Sequence, residues 1–199
     1  MTRQPVESPL WIIPIRFGVY EVNFSRVLPA MLLTVLLGAP VCAVQAQVAP
    51  TENPDQLSML KDSNPQLARN KKFVFDFWRI VYEGRHLNQA PQYMDEGYIQ
   101  HNPNVPSGRA AFVALFTKKG PPVPIEPRMK MHVISIVADG QYVMVSTVRQ
   151  MRDTKDPNHI YSTTWFDMFR LNDKGMIAEH WDPSPMWIDG KPPGAEFLP

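Results

Sequence analysis

The apolar residues of this chain change their period once. Up to the stop at Gly120-Pro121-Pro122 they recur every three or four positions, and from Arg128 onward they alternate. Spacing of three to four belongs to helices that bury one face, and alternation belongs to strands half-buried in a sheet. Helices first and meander strands afterwards define an α+β domain, whose sheet must cover the helices with one face or curl around them. A curled sheet leaves a cavity at its open end.

Local signals divide this pattern into elements. Asn64 can cap a helix that opens at Pro65, carries Leu67, Val74, Phe77, Trp78 and Val81 on one face, and runs to about Glu83 before Gly84. A shorter helical piece over about 87–94 leads to the extended segment "YIQHN", which ends at Pro103. Ser107 then caps a third helix that turns Phe112, Val113, Leu115 and Phe116 inward. Strands are expected over 128–138, 141–151, 160–171 and 176–181, joined by Asp139-Gly140, "DTKDPNH" and "NDKG".

The N-terminus has the pattern of a secretory signal. Arg26 precedes an apolar run over 27–37, and small residues lead to "VQAQ" at 44–47, which sets the expected cleavage after Ala46. A retained membrane anchor is the alternative, but Pro29, Gly38 and Pro40 interrupt the run, which barely reaches the ~20 residues a spanning helix needs. Cys42 follows "APV", a poor match to a lipoprotein box. The expected organisation is an extension and signal over 1–46, a flexible tether over 47–63, one domain over 64–190 and a C-terminal tail over 191–199. The product would be periplasmic or secreted, with no membrane attachment after cleavage.

Cleavage leaves 153 of the 199 residues, enough for one domain that buries ~70% of its unfolded surface. The leader takes three of the 20 basic and two of the 19 acidic residues, so the remainder is formally neutral. Without a basic run there is nothing for a phosphate backbone to bind, and nucleic acid is not an expected partner. The single cysteine leaves with the leader, which removes disulfides and thiol chemistry. No glycine-rich phosphate loop or Gly-x-Ser-x-Gly elbow occurs, so no cofactor is expected.

Two stretches, "YIQHNPNVPSGRAAFVALF" at Tyr98–Phe116 and "WFDMFRLNDKGMIAEHWDPSP" at Trp165–Pro185, resemble the SnoaL-like polyketide cyclase family of the NTF2-like superfamily. The similarity spans about Gln66 to Trp187, and Glu179-His180-Trp181-Asp182 is its most specific part. The resemblance implies a cone, in which a strongly bent antiparallel sheet wraps about three N-terminal helices around a deep apolar pocket. It also implies a homodimer through the outer sheet face, and an aspartate on the pocket-lining sheet as general acid/base. The family includes aldol cyclases, ketosteroid isomerase-like enzymes and epoxide hydrolases, so fold alone does not settle function.

Alternation sends His180 and Asp182 to one face of their strand and Glu179 and Trp181 to the other. If the "NDKG" turn pairs Arg170 with Ile177, Asp167 lies opposite His180 and Trp165 opposite Asp182. Taking a proton from a carbon next to a carbonyl needs a base and a hydrogen-bond donor for the enolate. Asp182 is the expected acid/base, with its pKa raised by burial, each unit being ~1.4 kcal/mol between protonation states. His180 would orient Asp182 or share its proton, and His101 and Asn102 would donate to the substrate carbonyl. Tyr98 and Trp165 would supply apolar contact, with Asp167 completing the substrate-binding group.

Plainer readings stand beside these. Asn102 can satisfy its own backbone before Pro103, Asp182 can be an exposed strand end, and Asp167 with Arg170 can be a solvated ion pair worth ~0 to 1 kcal/mol. His101, His180 and Asp182 make a two-histidine, one-carboxylate set, but without helical ligand spacing, and no metal is expected. The expected function is an exported, cofactor-free acid/base enzyme acting on a small apolar carbonyl compound, of the aldol cyclase or isomerase type. The alternative is the same cone without catalysis, binding a small apolar ligand or a protein partner.

Overall fold

The Asn64 side chain accepts the Gln66 N–H at 2.9 Å and Pro65 fills the first helical position, so α1 (Pro65–Phe77) begins where the sequence signals it. The computed structural model describes residues 48–190 and 194–197. The expected signal over 1–46, its cleavage after Ala46 and its alternative as an anchor lie outside them. No helix among the described residues is long and apolar enough to cross a membrane.

The helix does not end at Phe77 but widens. Trp78–Glu83 form a π turn, closed where the Gly84 N–H meets the Arg79 carbonyl at 3.0 Å. A Cβ at Gly84 would lie 2.6 Å from the Ile80 carbonyl oxygen and 2.8 Å from that of Arg79, so the turn requires glycine. The wide turn buries Trp78 and Val81 against the sheet. A 3-10 turn at Leu87–Gln89 and α2 (Ala90–Tyr93) lead into β1 (Met94–Gln100), followed by α3 (Arg109–Thr117). Gly108, with φ +96°, and not Ser107, precedes that helix; the Ser107 hydroxyl instead accepts the Gln100 N–H at 3.0 Å.

The remaining strands are β2 (Val133–Asp139), β3 (Tyr142–Asp153), β4 (Ile160–Leu171), β5 (Ile177–Trp181) and β6 (Ala195–Phe197). They form one curved sheet in the order β1-β5-β4-β3-β2, and β6 joins β3 along Met151–Asp153, beyond the end of β2. The stretch expected as a C-terminal tail therefore contributes a strand. Pairing is antiparallel except between β1 and β5, which run parallel. Gly140 takes φ +53° at the first position of the β2–β3 loop, where a tight hairpin turn calls for glycine.

Two segments differ from expectation because side chains take up their backbone. Residues 128–132 do not join β2: Gln56 bonds to both the N–H and the carbonyl of Met129, and the Glu83 carboxylate accepts the N–H groups of Lys130 and Met131. Burial pushes the Glu83 carboxyl up, and those two N–H groups oppose it. The same bonds show that the stretch expected as a tether is docked. Gln56 is buried, and the Asn53 N–H meets the Val133 carbonyl at 2.8 Å.

Helices pack on the concave side, where Phe77 and Trp78 meet Phe169 edge-on at ring separations of 6.0 and 5.7 Å. Val143, Val145, Leu171 and Ile177 complete the sheet side of this core, each worth ~1.5–3 kcal/mol on full burial. The register of β5 against β4 decides what faces the helices. Asn172 closes the turn, its N–H on the Met176 carbonyl and its side chain accepting from Lys174 and Met176. Leu171 then pairs with Ile177 and Arg170 with Glu179, so Ala178 is the extra residue of a bulge. The expected pairing of Arg170 with Ile177 is thus displaced by two residues, placing Phe169, and not Asp167, opposite His180. A slip of two keeps every side chain on its expected face, whereas a slip of one would have reversed them all.

Gly84→Ala is expected to destabilise the fold by about 1–3 kcal/mol, because backbone oxygens must move to admit the methyl group. Gly97→Ala, whose Cβ would meet only Asp95 Oδ1 at 3.5 Å, should cost far less; equal midpoints of urea unfolding for the two variants would contradict this account.

Candidate functional site

The parallel pairing of β1 with β5 puts Gln100 in register with His180. Alternation then lines the inner face with Tyr98, Gln100 and Asn102 from one strand and with His180 and Asp182 from the other. Gln100 is the hub: its Oε1 accepts the Asn102 N–H at 3.1 Å and lies 3.0 Å from His180 Nδ1, while its Nε2 donates to the Tyr98 hydroxyl oxygen at 3.1 Å. A backbone N–H can only donate, so that atom of Gln100 must be the oxygen, and Nδ1 of His180 must carry a hydrogen. The other ring nitrogen, Nε2, lies 3.1 Å from Asp167 Oδ1, within hydrogen-bond distance of the carboxylate.

Asp167 is 4% exposed, and its second oxygen, Oδ2, is buried without a hydrogen-bond partner in the protein. Leaving a buried polar atom unbonded costs ~1–3 kcal/mol, more if charged, and the described protein groups do not meet that cost at Oδ2. Asp182 has the opposite character. Its side chain is 8% exposed, so the reading as an exposed strand end fails. Asn102 Nδ2 reaches both of its oxygens at 2.9 Å, and the Ser184 N–H reaches Oδ1 at 2.9 Å. Asn102 in turn accepts from the backbone and side chain of Asn104, so the pair ties the loop after β1 to the loop after β5.

Two phenols adjoin this cluster. Burial holds the Tyr98 hydroxyl far above its usual ionisation range, and the charges of Asp182 and Asp167 add to that. Because this hydroxyl oxygen already accepts from Gln100, its own hydrogen is free to donate. Tyr82 is also pushed up, by burial first, with Arg149 opposing and Asp167, Glu83 and Asp182 reinforcing.

His101 is not part of this group. Residue 101 falls between Gln100 and Asn102, so the two-residue period turns it to the outer face, where it is exposed. There its ring stacks on Trp181 at 4.5 Å and 4°, and Nε2 pairs with Glu179 Oε2 at 2.9 Å. Glu179 also accepts Arg170 Nε at 2.6 Å; His101 and Arg170 together hold its carboxyl below the usual range. Arg170 is therefore the partner of Glu179, not of Asp167. Trp165 lies opposite Thr147, with the Arg149 guanidinium 5.8 Å from its ring centre.

Gln100, Thr147, Arg149 and Tyr82 complete the inner face without having been singled out in the sequence, and Trp78, expected on the apolar face of the first helix, joins them. Tyr98-x-Gln100-x-Asn102 carries the signal for the first, and Val143-x-Val145-x-Thr147-x-Arg149, a buried period ending in a charge, carries it for Arg149. Asp167, His180 and Asp182 offer ligand atoms within 4.8 Å of one another, a different set from one containing His101. A cation there would have to displace the Asn102 amide from Asp182, so the donors as bonded suit protons better than a metal. Two surface hollows, about 570 Å³ beside Gln56 and Arg128 and about 510 Å³ beside Arg85 and Pro121, contain no residue of the cluster.

A family model described as the SnoaL-like domain matches residues 74–180. Among solved structures, a protein of Jannaschia sp. CCS1 described as a SnoaL-like polyketide cyclase is 17% identical, covering 62% of this chain and 91% of its own, with a TM-score of 0.43. An LEH-like epoxide hydrolase of M. tuberculosis is 13% identical over 60% of this chain and 81% of its own, with a TM-score of 0.41. An NTF2-like protein of unknown function from Burkholderia pseudomallei is 10% identical over 57% and 88%, with a TM-score of 0.39. No curated protein matches the chain.

Glu179 is held low in the folded state, so its contribution to stability is present above the ordinary carboxylate range and lost as pH falls through the lowered value. Glu179→Gln should cost up to ~1 kcal/mol at pH 7, in a solvent-screened network, and progressively nothing in acid. Urea unfolding of both proteins across this range checks the sign; a gap that widens on acidification would contradict it.

Proposed function

The chain belongs to the SnoaL-like domain family, and from that premise we propose that it is an exported, cofactor-free enzyme that moves a proton on a small carbonyl compound with an apolar body. The observation that carries the reading is Asp167 Oδ2, a buried carboxylate oxygen with no partner, on a residue whose other oxygen is bonded to a histidine of fixed tautomer. In this reading Asp167, and not Asp182, is the base. Oδ2 takes a proton from the carbon beside the carbonyl; the C–H electron pair shifts onto the carbonyl oxygen, and the Tyr98 hydroxyl donates to the enolate so formed. Asp167 then returns the proton to a different carbon in an isomerisation. In an aldol closure the enolate carbon attacks a second carbonyl, and the proton goes to the resulting alkoxide.

His180 adjusts the charge on Asp167 through Nε2, and Asp182 acts as a positioning residue by holding Asn102. The polyketide cyclase type of reaction, implied by the family, suits this division of labour because it needs no group beyond an acid/base and an oxyanion donor. Export rests on the leader alone: a basic residue, an apolar run and small residues before position 47.

Deuterium uptake beside the carbonyl of a panel of cyclic ketones, followed by proton NMR in D₂O, tests the chemistry. Asp167→Asn should lower the rate by ~100-fold or more with an unchanged melting temperature, and Asp182→Asn by roughly tenfold. Undiminished exchange in Asp167→Asn would reject the assignment, and a wild type inactive on every ketone would favour the non-catalytic binding module. N-terminal sequencing of the exported protein should begin at Gln47; a mature chain that keeps residues 27–37 would overturn the signal reading.

A further inference from the structure

Three buried donors on the inner face have no task in the acid/base step. Arg149 Nε, Thr147 Oγ1 and Trp78 Nε1 all lack a hydrogen-bond partner in the protein. Their positions converge. Thr147 pairs with Trp165 and Val145 with Asp167, so Thr147 lies one diagonal from the proposed base and Arg149 two residues further along the same face. Trp78 descends from the π turn onto Phe169 at 5.7 Å and Tyr82 at 5.0 Å.

A second cation arrives from the residues that follow α3. Lys119 Nζ sits 4.3 Å from the centre of the Phe116 ring and 5.3 Å from that of Tyr82. Arg149 lies over Trp165, and neither cation forms an ion pair with a described residue. The Tyr82 ring that Lys119 faces lies 5.0 Å from that of Trp78, so the ammonium, on an exposed residue, reaches the rim of the same region. Arg149 and Lys119, each over an aromatic ring, thus stand with Thr147 Oγ1 and Trp78 Nε1, an arrangement whose charge and donors suit an anion.

We propose that Arg149, Lys119, Thr147 and Trp78 form a subsite for a carboxylate of the substrate, so that the compound presented to Asp167 is an oxo acid with an apolar carbon body. The substrate part of this inference rests on the acid/base reading above; the anion subsite does not. A planar carboxylate matches the two-pronged donor edge of a guanidinium, and the aromatic surround favours an anion attached to an apolar body over a strongly hydrated free phosphate. This narrows the substrate from an apolar carbonyl compound to one with a charged end that fixes which carbon meets Oδ2.

The test is calorimetric titration of the full-length protein with cyclohexanecarboxylate, with cyclohexanecarboxamide and inorganic phosphate as comparisons. The carboxylate should bind at least ~10-fold more tightly than the amide, and Arg149→Gln should lose ~10-fold or more of that affinity, as expected for a lost charge-assisted hydrogen bond. Lys119→Gln should weaken binding less, and remove part of its salt dependence. Should Arg149→Gln fold poorly, Thr147→Val together with the indole N–H resonance of Trp78 serves instead: the resonance should shift when the carboxylate is added to wild type.

Equal affinity for carboxylate and amide, preference for phosphate, absence of carboxylate binding, or an unmoved indole resonance would each overturn the proposal. Asp167→Asn separates the two readings. Carboxylate binding that survives in this variant, while deuterium exchange is lost, upholds both. Binding without exchange in wild type upholds the subsite and rejects the enzyme, and exchange without carboxylate selectivity rejects the subsite alone.

Discussion

One rung of the sheet, Gln100 beside His180, organises the inner face. Its strands run parallel, so residues two apart on each strand stay in step, and Asn102 comes to Asp182 as Gln100 comes to His180. The Asn102 N–H then fixes the Gln100 amide, the amide fixes the histidine tautomer, and the histidine meets Asp167. No step in that chain is adjustable without the others, because a buried polar group that loses its partner costs more than a made bond returns. Phe169, packed on Phe77 and Trp78, also lies against the His180 ring at 4.6 Å.

Most of the architecture was legible in the sequence because it rests on periods. The change from helical to alternating spacing gave the α+β class, and alternation alone put His180 and Asp182 on one face and Glu179 on the other. That survived a wrong register, since the bulge at Ala178 and the turn at Asn172 moved the pairing by an even number of residues. Where a residue was chosen by chemical type against its period, as His101 was, the structure turned it outward. Roles were less legible than faces. Asp182 and Asp167 are both buried carboxylates, and what separates them is which oxygen has a donor within reach, a matter of loop geometry at Asn102 and Ser184 that no spacing rule contains.

Long-range side-chain bonds account for the remaining differences. Gln56 and Glu83 hold residues 128–132 away from the sheet, and both lie more than 45 positions upstream of the backbone they satisfy. Sequence distance likewise hides Lys119, which follows α3 and reaches the aromatic rings of Phe116 and Tyr82, and Arg149, which lies over Trp165 on β4. The interior therefore carries two carboxylates, an imidazole and a guanidinium in a region whose walls are aromatic. Such charges stabilise a fold only when each is bonded, and here one oxygen and three donors are not. That imbalance links the energetics to the proposed function, since a bound oxo acid would bring an acceptor to the three donors and an acidic C–H bond to the oxygen.

The protonation state of the His180 ring tests the centre of this account most directly. Nitrogen-15 NMR of the imidazole in the folded protein should show Nδ1 protonated and hydrogen-bonded to an amide oxygen, with Nε2 as the nitrogen that faces the Asp167 carboxylate. A ring protonated at Nε2 with a bare Nδ1 would contradict it, because the Gln100 amide would then face the other way and the relay to Asp167 would not exist.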